Sequence, residues 1–157
     1  MSLPMPIAPG SPATAFPLIA QLFARHGFAE VSAEDFDTFT QRAGHTLLLF
    51  TEDPVRFRET LDLAVIVPEL VRAFAGRFAV GVLLPPAARA VQPRYGFRRW
   101  PALVLLRDGR YVGAVDGLRG WDEYLLEIGR LLAAAPSRPP TVGVPVAAAA
   151  DAGRCQT

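Results

Sequence analysis

The chain of 157 residues has no lysine and a single cysteine, Cys155. One thiol cannot form an intrachain disulfide, and it excludes the C-x-x-C pair on which dithiol exchange depends. The lack of disulfides is typical of a reducing compartment. All 16 basic residues are arginine, and 15 acidic residues nearly balance them, so the formal net charge of +1 does not indicate a nucleic-acid or membrane-surface partner.

Long apolar runs are also absent. No stretch approaches the ~18 apolar residues that a membrane span requires. No basic residue precedes Arg25, and prolines at positions 4, 6, 9, 12 and 17 interrupt any apolar helix, so a secretory signal peptide is not expected. We therefore expect a soluble, cytoplasmic protein.

Sequence motifs for catalysis and cofactors are missing too. The chain has no G-x-G-x-x-G motif, no phosphate-binding loop and no nucleophile motif. His26 and His45 are far apart in sequence and have no cysteine or carboxylate at ligand spacing, so a metal site is not expected. The prediction is that the protein uses no cofactor and no metal ion.

The composition indicates one domain with loose ends. With 51% hydrophobic residues the chain is long enough to bury one sizeable core. Residues 1–12 are Pro-rich and uncharged and are predicted to form a flexible leader, and the Pro/Ala-rich residues 136–157 a flexible tail. The domain is expected over residues 13–135.

The first half of this domain alternates helical and strand patterns. A helix is predicted over residues 15–25 and a short strand in "FAEV". Ser32 is a suitable N-cap, with Asp35 three residues later, for a helix that runs to about Arg42. The unbroken apolar run "HTLLLFT" predicts a strand covered on both faces, as in the centre of an α/β sheet.

The second half continues with a helix, a strand, a short helix and a hairpin. The segment "LAVIVPELVRAFAGRF" has helical length, contains Pro68 and ends near Gly76. "FAVGVLLP" is the next predicted strand, and "PAARAVQPRYGF" a short helix and turn. Asp108-Gly109 between "ALVLL" and "RYVGAV" predicts a tight antiparallel hairpin. A last amphipathic helix places five apolar residues on one buried stripe: Trp121, Leu125, Ile128, Leu131 and Leu132.

This element order predicts an α/β fold of the thioredoxin-like class, in which helices flank a central mixed sheet, here without the C-x-x-C motif. The segment "YGFRRWPALVLLRDG" resembles the part of thioredoxins that carries their cis proline. The resemblance implies that Pro101, after Trp100, is cis, and that Pro68 is the family's helix-kinking proline. The two thioredoxin cysteines would then fall near Thr60 and Leu63, where this chain has no thiol.

A closer resemblance covers about residues 15–135. In order and spacing, "ARHGF", "DFDTFTQRAG", "LLLFTEDPVRFRET", "YGFRRWPALVLLRDGRYVGAVDGLRGW" and the last helix resemble the thioredoxin-like hydrogenase expression/formation proteins of the HyaE/HupG type. Shared features are the Asp53-Pro54 loop, the absent cysteines, the aromatic-Pro turn and Trp121. The resemblance implies a cytoplasmic accessory protein that engages the [NiFe]-hydrogenase small-subunit precursor, which carries a twin-arginine signal peptide. Other hydrogenase accessory proteins are further partners that it suggests.

Charge is unevenly distributed along the chain. Residues 30–69 contain nine acidic residues and three arginines, whereas residues 70–110 contain eight arginines and one aspartate. Acidic side chains can orient an arginine-bearing signal peptide, because arginine and carboxylate form paired hydrogen bonds; the alternative is a solvated face. The predicted partner-binding residues are Glu52, Asp53, Glu59, Asp62, Trp100 and Pro101.

These observations favour a non-catalytic chaperone that holds the small-subunit precursor during maturation. One alternative is a generic, redox-inactive peptide-binding module of the same fold. Another is a thiol reductase or peroxidase that uses Cys155. The last is disfavoured because a nucleophilic cysteine is expected at a helix N-terminus, where its pKa is lowered, and Cys155 lies outside the predicted domain.

Overall fold

The computed structural model describes residues 16–140, which form five strands, five α-helices and one 3₁₀ turn. The predicted leader and residues 141–157, with Cys155, lie outside the described residues. The elements in chain order are α1 (Pro17–Ala24), β1 (Ala29–Glu30), α2 (Phe36–Thr40), β2 (His45–Phe50), α3 (Glu59–Ala73), β3 (Phe78–Leu83), α4 (Ala87–Val91), the 3₁₀ turn (Gln92–Arg94), β4 (Ala102–Arg107), β5 (Arg110–Asp116) and α5 (Trp121–Ala133).

The strands form one mixed sheet in the order β1-β3-β2-β4-β5. β3 runs parallel to both β1 and β2, and β4 runs antiparallel to β2 and β5. A parallel βαβ half is thus joined to an antiparallel ββα half. This confirms the predicted thioredoxin-like α/β fold.

The central strand β2 is buried on both faces. Leu47 and Leu49 belong to a core cluster under α1, α3 and α5, whereas Leu48 and Phe50 belong to a second cluster under α2 and α4. All four side chains have no solvent exposure. Because successive side chains of a strand point to opposite faces, a strand with helices on both sides needs an unbroken apolar run.

Two helix boundaries differ from the predictions. α2 begins at Phe36, because the Ser32 hydroxyl accepts the N–H of Asp35 (3.1 Å) in a turn before the helix instead of capping the helix itself. α3 begins at Glu59, four residues earlier than predicted, and continues through the buried Pro68 to Ala73. Gly76 then takes a positive φ of 67° just after the helix, a conformation that glycine adopts without strain.

The predicted buried stripe of α5 is wrong at Trp121, which is 41% exposed. Trp121 is the first residue of the helix and lies at the end of the sheet, beyond the core. Tyr124 is fully buried instead. Its hydroxyl donates to the Gly117 carbonyl (3.2 Å) and accepts the Arg119 N–H (3.1 Å), so it holds the segment between β5 and α5.

The chain stays in contact with the sheet after α5. The N–H of Ser137 donates to the Tyr111 carbonyl (2.7 Å), and its hydroxyl donates to the Val112 carbonyl (3.1 Å). Ser137 therefore binds β5 two residues beyond residue 135, the predicted end of the domain.

Tyr124→Phe is expected to lower the free energy of unfolding by about 1 kcal/mol, because it removes one buried hydroxyl and leaves the Arg119 N–H and the Gly117 carbonyl without that partner. Tyr111→Phe is the matched control, since the Tyr111 ring stacks on Tyr95 (5.7 Å between centroids) and keeps that contact without its hydroxyl. Urea denaturation of both variants measures the difference. Equal stability of the two variants would contradict the role given to Tyr124.

Candidate functional site

Four connecting segments meet at one end of the sheet. Phe50, the last residue of β2, is in register with Leu83 at the end of β3 and with Ala102 at the start of β4. Ala102 in turn faces Asp116 at the end of β5. We call residues 51–58, 84–86, 95–101 and 117–120 together the loop end of the sheet.

Two buried threonines fix the segment that follows β2. Both the N–H and the hydroxyl of Thr51 donate to the Leu83 carbonyl, at 3.0 and 2.9 Å. The hydroxyl of Thr60, in the first turn of α3, donates to the Glu52 carbonyl (3.2 Å) and lies 3.5 Å from the Glu52 nitrogen. The start of α3 is therefore tied to the end of β2 through Glu52.

Glu52 forms the best-defined polar contact at the loop end. Its carboxylate accepts the Nε of Arg89 from α4 at 2.8 and 3.0 Å, a further bond from the same guanidinium, and the N–H of Asp53 at 2.9 Å. The Arg89 hydrogen bonds lower the pKa of Glu52 below its ordinary value. Glu52 was predicted to contact a partner, and the structure shows that its buried carboxylate is already paired within the chain.

Asp53 organises the next turn. Its carboxylate accepts the N–H of Val55 (3.0 Å), and its carbonyl accepts the N–H groups of Arg56 (3.1 Å) and Phe57 (2.8 Å). Val55 is 74% exposed at the tip of this turn. The segment after β2 is thus a defined turn that presents an apolar side chain.

Glu59 and Asp62 are exposed on the first turn of α3. Carboxylates at that position are stabilised by the partial positive charge of the helix N-terminus. Since Thr60 binds Glu52, the structure brings the start of α3 next to the Glu52-Asp53 segment. The four predicted acidic residues therefore lie in one region, although only Glu52 is paired with an arginine among the described residues.

Trp100 and Pro101 enter the loop end from β4. The bond between them is cis, as predicted. Pro101 is buried and its carbonyl accepts the N–H of Gly117 (2.8 Å), whereas the partly exposed Trp100 ring packs edge-on against Phe97 (5.1 Å). Trp100 packs against the cluster on the α4 side of the sheet, whereas α3 covers the opposite face, so the predicted residues Trp100, Glu59 and Asp62 are not on one face of the sheet.

Sequence reasoning did not identify Leu118 and placed Trp121 on a buried stripe, but both are exposed apolar residues at this end. Leu118 (42% exposed) and Trp121 (41%) follow β5 beside the segment that carries Trp100. The sequence signal was "DGLRGW", in which Leu118 stands between two glycines at the end of a strand and Trp121 follows the second glycine. Together with Val55 and Trp100 they give the loop end its apolar surface.

The uneven charge of the sequence is partly balanced by ion pairs within the fold. Three ion pairs join the acidic segment to the arginine-rich one: Glu52–Arg89, Asp37–Arg94 and Glu69–Arg72. The loop end also carries four exposed arginines: Arg56, Arg58, Arg98 and Arg99. The three ion pairs join three of the nine acidic residues of the first segment to arginines of the second.

The positions expected for a dithiol are inaccessible. Thr60 and Leu63 have no solvent exposure, and the Thr60 hydroxyl is used to hold the Glu52 segment. A thiolate must reach its target to react. Within residues 16–140, no group of three or more metal-ligating side chains is placed to hold an ion, and no helix is long and apolar enough to cross a membrane.

Known proteins of one family match most of this chain. The family described as hydrogenase-1 expression protein HyaE matches residues 18–124. The chain belongs to the HyaE family. The hydrogenase expression/formation protein HoxO of Cupriavidus necator is 42% identical over 141 residues, 88% of each chain. HoxO of Azotobacter vinelandii is 39% identical and covers 74% of this chain and 78% of its own.

A solved structure of HupG, a hydrogenase expression/formation protein from Rhodopseudomonas palustris, is 35% identical and covers 67% of this chain and 95% of its own, with a TM-score of 0.48. The match to the family model and the identity to both HoxO proteins confirm the family resemblance predicted from the sequence. Membership of the HyaE family places the protein in hydrogenase expression and formation.

In a Cys155→Ser background, Thr60→Cys is expected to react with an aromatic disulfide reagent at least about 100-fold more slowly than Val55→Cys. Position 60, in the first turn of α3, is fully buried, whereas position 55, in the segment before α3, is 74% exposed. A thiol must be accessible to react. Stopped-flow absorbance on the folded variants measures both rates. Similar rates would show that the segment opens and that the dithiol position is accessible.

Glu52→Gln is expected to lower the melting temperature by about 5 °C at pH 7. Arg89 holds the pKa of Glu52 below its ordinary value of 4.5, so this contribution is present above that pH and is lost as the pH falls through the lowered pKa. The difference between wild type and variant should therefore shrink below about pH 4.5. Asp37→Asn is the control, because its ion pair with Arg94 is exposed on both sides and should matter little.

Proposed function

We propose that this HyaE-family protein is a non-catalytic, cytoplasmic chaperone for the [NiFe]-hydrogenase small-subunit precursor and binds the region of its twin-arginine signal peptide before export. The observation that carries the proposal is the combination found at the loop end. The fold keeps the cis-proline segment and the start of α3 at one accessible end, but the residue at the reactive position is the buried Thr60.

This combination favours binding over chemistry. A thioredoxin-like reductase needs an exposed thiolate at the start of the helix after the central strand. Here the hydroxyl of Thr60 is bonded to the Glu52 carbonyl, so the segment is closed over that position. The accessible surface at this end is formed by the connecting segments of the loop end.

The surface has the two chemistries that a twin-arginine signal peptide requires. Such a peptide presents two guanidinium groups followed by an apolar segment. Exposed or partly exposed carboxylates at Asp53, Glu59 and Asp62 can accept guanidinium donors. The apolar contacts would come from the exposed or partly exposed side chains of Val55, Trp100, Leu118 and Trp121.

A generic peptide-binding module is the second candidate, because the same mixed surface would accept other peptides with basic and apolar residues. The four exposed arginines at the loop end would in addition attract acidic side chains, which favours a broader specificity than that of a receptor for arginine-bearing peptides alone. The two candidates differ in their dependence on the twin-arginine pair. A peptide with two lysines in place of the arginines separates them.

Asp53→Asn combined with Asp62→Asn is expected to weaken binding of the small-subunit precursor about 5- to 10-fold at low salt and to flatten its salt dependence, because the charges that salt screens are removed. Asparagine can still accept the Val55 N–H, so the turn should persist. Isothermal titration of precursor and of mature small subunit without its signal peptide gives the affinities; the mature form should bind much more weakly.

Glu69→Gln combined with Glu127→Gln is the control for this double variant. It changes the net charge equally, but both carboxylates pair with arginines on their own helices. The proposal fails if precursor and mature subunit bind equally. The acidic contact alone fails if the Asp53/Asp62 variant binds the precursor like the control.

A further inference from the structure

We infer that Arg89 shields a guanidinium-binding site: in the free protein it occupies Glu52, and an arginine of the bound signal peptide replaces it there. The inference rests on the proposed function and specifies one contact within it. Its basis is the geometry of the Glu52–Arg89 pair and the exposure of its two members.

The two side chains of the pair are unequally exposed. The Glu52 side chain is 9% exposed, and that of Arg89 is 53% exposed. Arg89 therefore lies over the carboxylate on its solvent side. Removal of the Arg89 side chain would open a path from solvent to Glu52 without disturbing β2.

The geometry is selective for a guanidinium group. Arg89 uses both its Nε and a terminal nitrogen, and both carboxylate oxygens of Glu52 accept bonds from it. Paired, planar donation of this kind is available to arginine and not to lysine, whose ammonium is a point charge. The remaining bond to the carboxylate comes from the Asp53 N–H, which helps to fix its orientation.

α4 has apolar anchors besides Arg89. Ala88 and Val91 are buried in the second core cluster and anchor the helix, while Arg89 and Ala90 are exposed. A released Arg89 side chain would enter solvent close to Asp53, whose charge adds to the rise in the pKa of Arg89. Release therefore requires only a side-chain movement.

Charge balance makes exchange the favourable route. Glu52 and Asp53 lie close to two arginines of the chain, Arg89 and Arg56, and both of these lower the pKa of Glu52. A further guanidinium at Glu52 would find both carboxylate oxygens already occupied by Arg89. Exchange keeps the buried carboxylate paired throughout, which avoids the large penalty of an uncompensated buried charge.

The peptide test compares wild type with Arg89→Gln. The probe is a synthetic peptide with two adjacent arginines followed by an apolar segment, and affinity is measured by isothermal titration. Because the internal competitor is absent, Arg89→Gln is expected to bind about tenfold more tightly. Arg72→Gln is the matched control, since it also removes an exposed, ion-paired arginine, and it should bind like wild type.

The carboxylate must be responsible for this gain. Glu52→Gln combined with Arg89→Gln should therefore lose the tighter binding, and the two-lysine peptide should show no gain with Arg89→Gln. If Arg89→Gln is folded by circular dichroism and binds the two-arginine peptide equally or more weakly, the exchange is refuted and Arg89 only positions the loop end. If Arg89→Gln is not folded, Arg89→Lys replaces it, because lysine keeps the charge but cannot pair with both oxygens.

A second test does not depend on the signal peptide. Ethylguanidinium at millimolar concentration should raise the melting temperature of Arg89→Ala, and should not raise that of Glu52→Gln combined with Arg89→Ala. If neither wild type nor Arg89→Gln binds the peptide, the proposed binding of the signal peptide is wrong. The ethylguanidinium result then decides by itself whether Arg89 shields a guanidinium site. No difference between the two alanine variants overturns the inference.

Discussion

The register of the central strand β2 determines where every other part of the loop end lies. Its two neighbours are held in opposite directions, β3 parallel and β4 antiparallel, and Phe50 is the residue at which both pairings finish. A shift of one residue would exchange the two faces of β2 and move Leu47 and Leu49 out of the first core cluster. The apolar pattern therefore fixes the register, and the register brings the segments before Pro101 and after Phe50 to one place.

The charged residues form a small number of ion pairs on this fold. The acidic and arginine-rich halves of the sequence meet in three ion pairs, of which only Glu52–Arg89 has a buried carboxylate. Ion pairs exposed on both sides contribute little to stability. The Glu52–Arg89 pair differs because it links the end of β2 to α4 across the loop end.

The parts of the fold that could be predicted depend on local patterns. The apolar run of β2 and the Asp108-Gly109 turn needed only neighbouring residues, and both were confirmed, with positive φ at Asp108 (52°) and Gly109 (79°). The cis bond before Pro101 came from family resemblance. By contrast, the partner of Glu52 lies 37 residues away, and no spacing rule distinguishes Arg89 from the arginines around it. Trp121 was placed on a buried stripe because helical periodicity does not show where the sheet beneath a helix ends.

Thr60 links the absence of a thiol at its position to the conformation of the segment after β2. A hydroxyl at this position donates a hydrogen bond to the Glu52 carbonyl, whereas a thiol is a much weaker donor. The bond holds the segment after β2 against α3, and the same segment presents Asp53 and Val55. A thiolate in this place would need solvent access, and the segment would have to open to provide it. A closed segment and a solvent-accessible thiolate at position 60 are therefore incompatible. In this chain the Thr60 hydroxyl holds the segment closed.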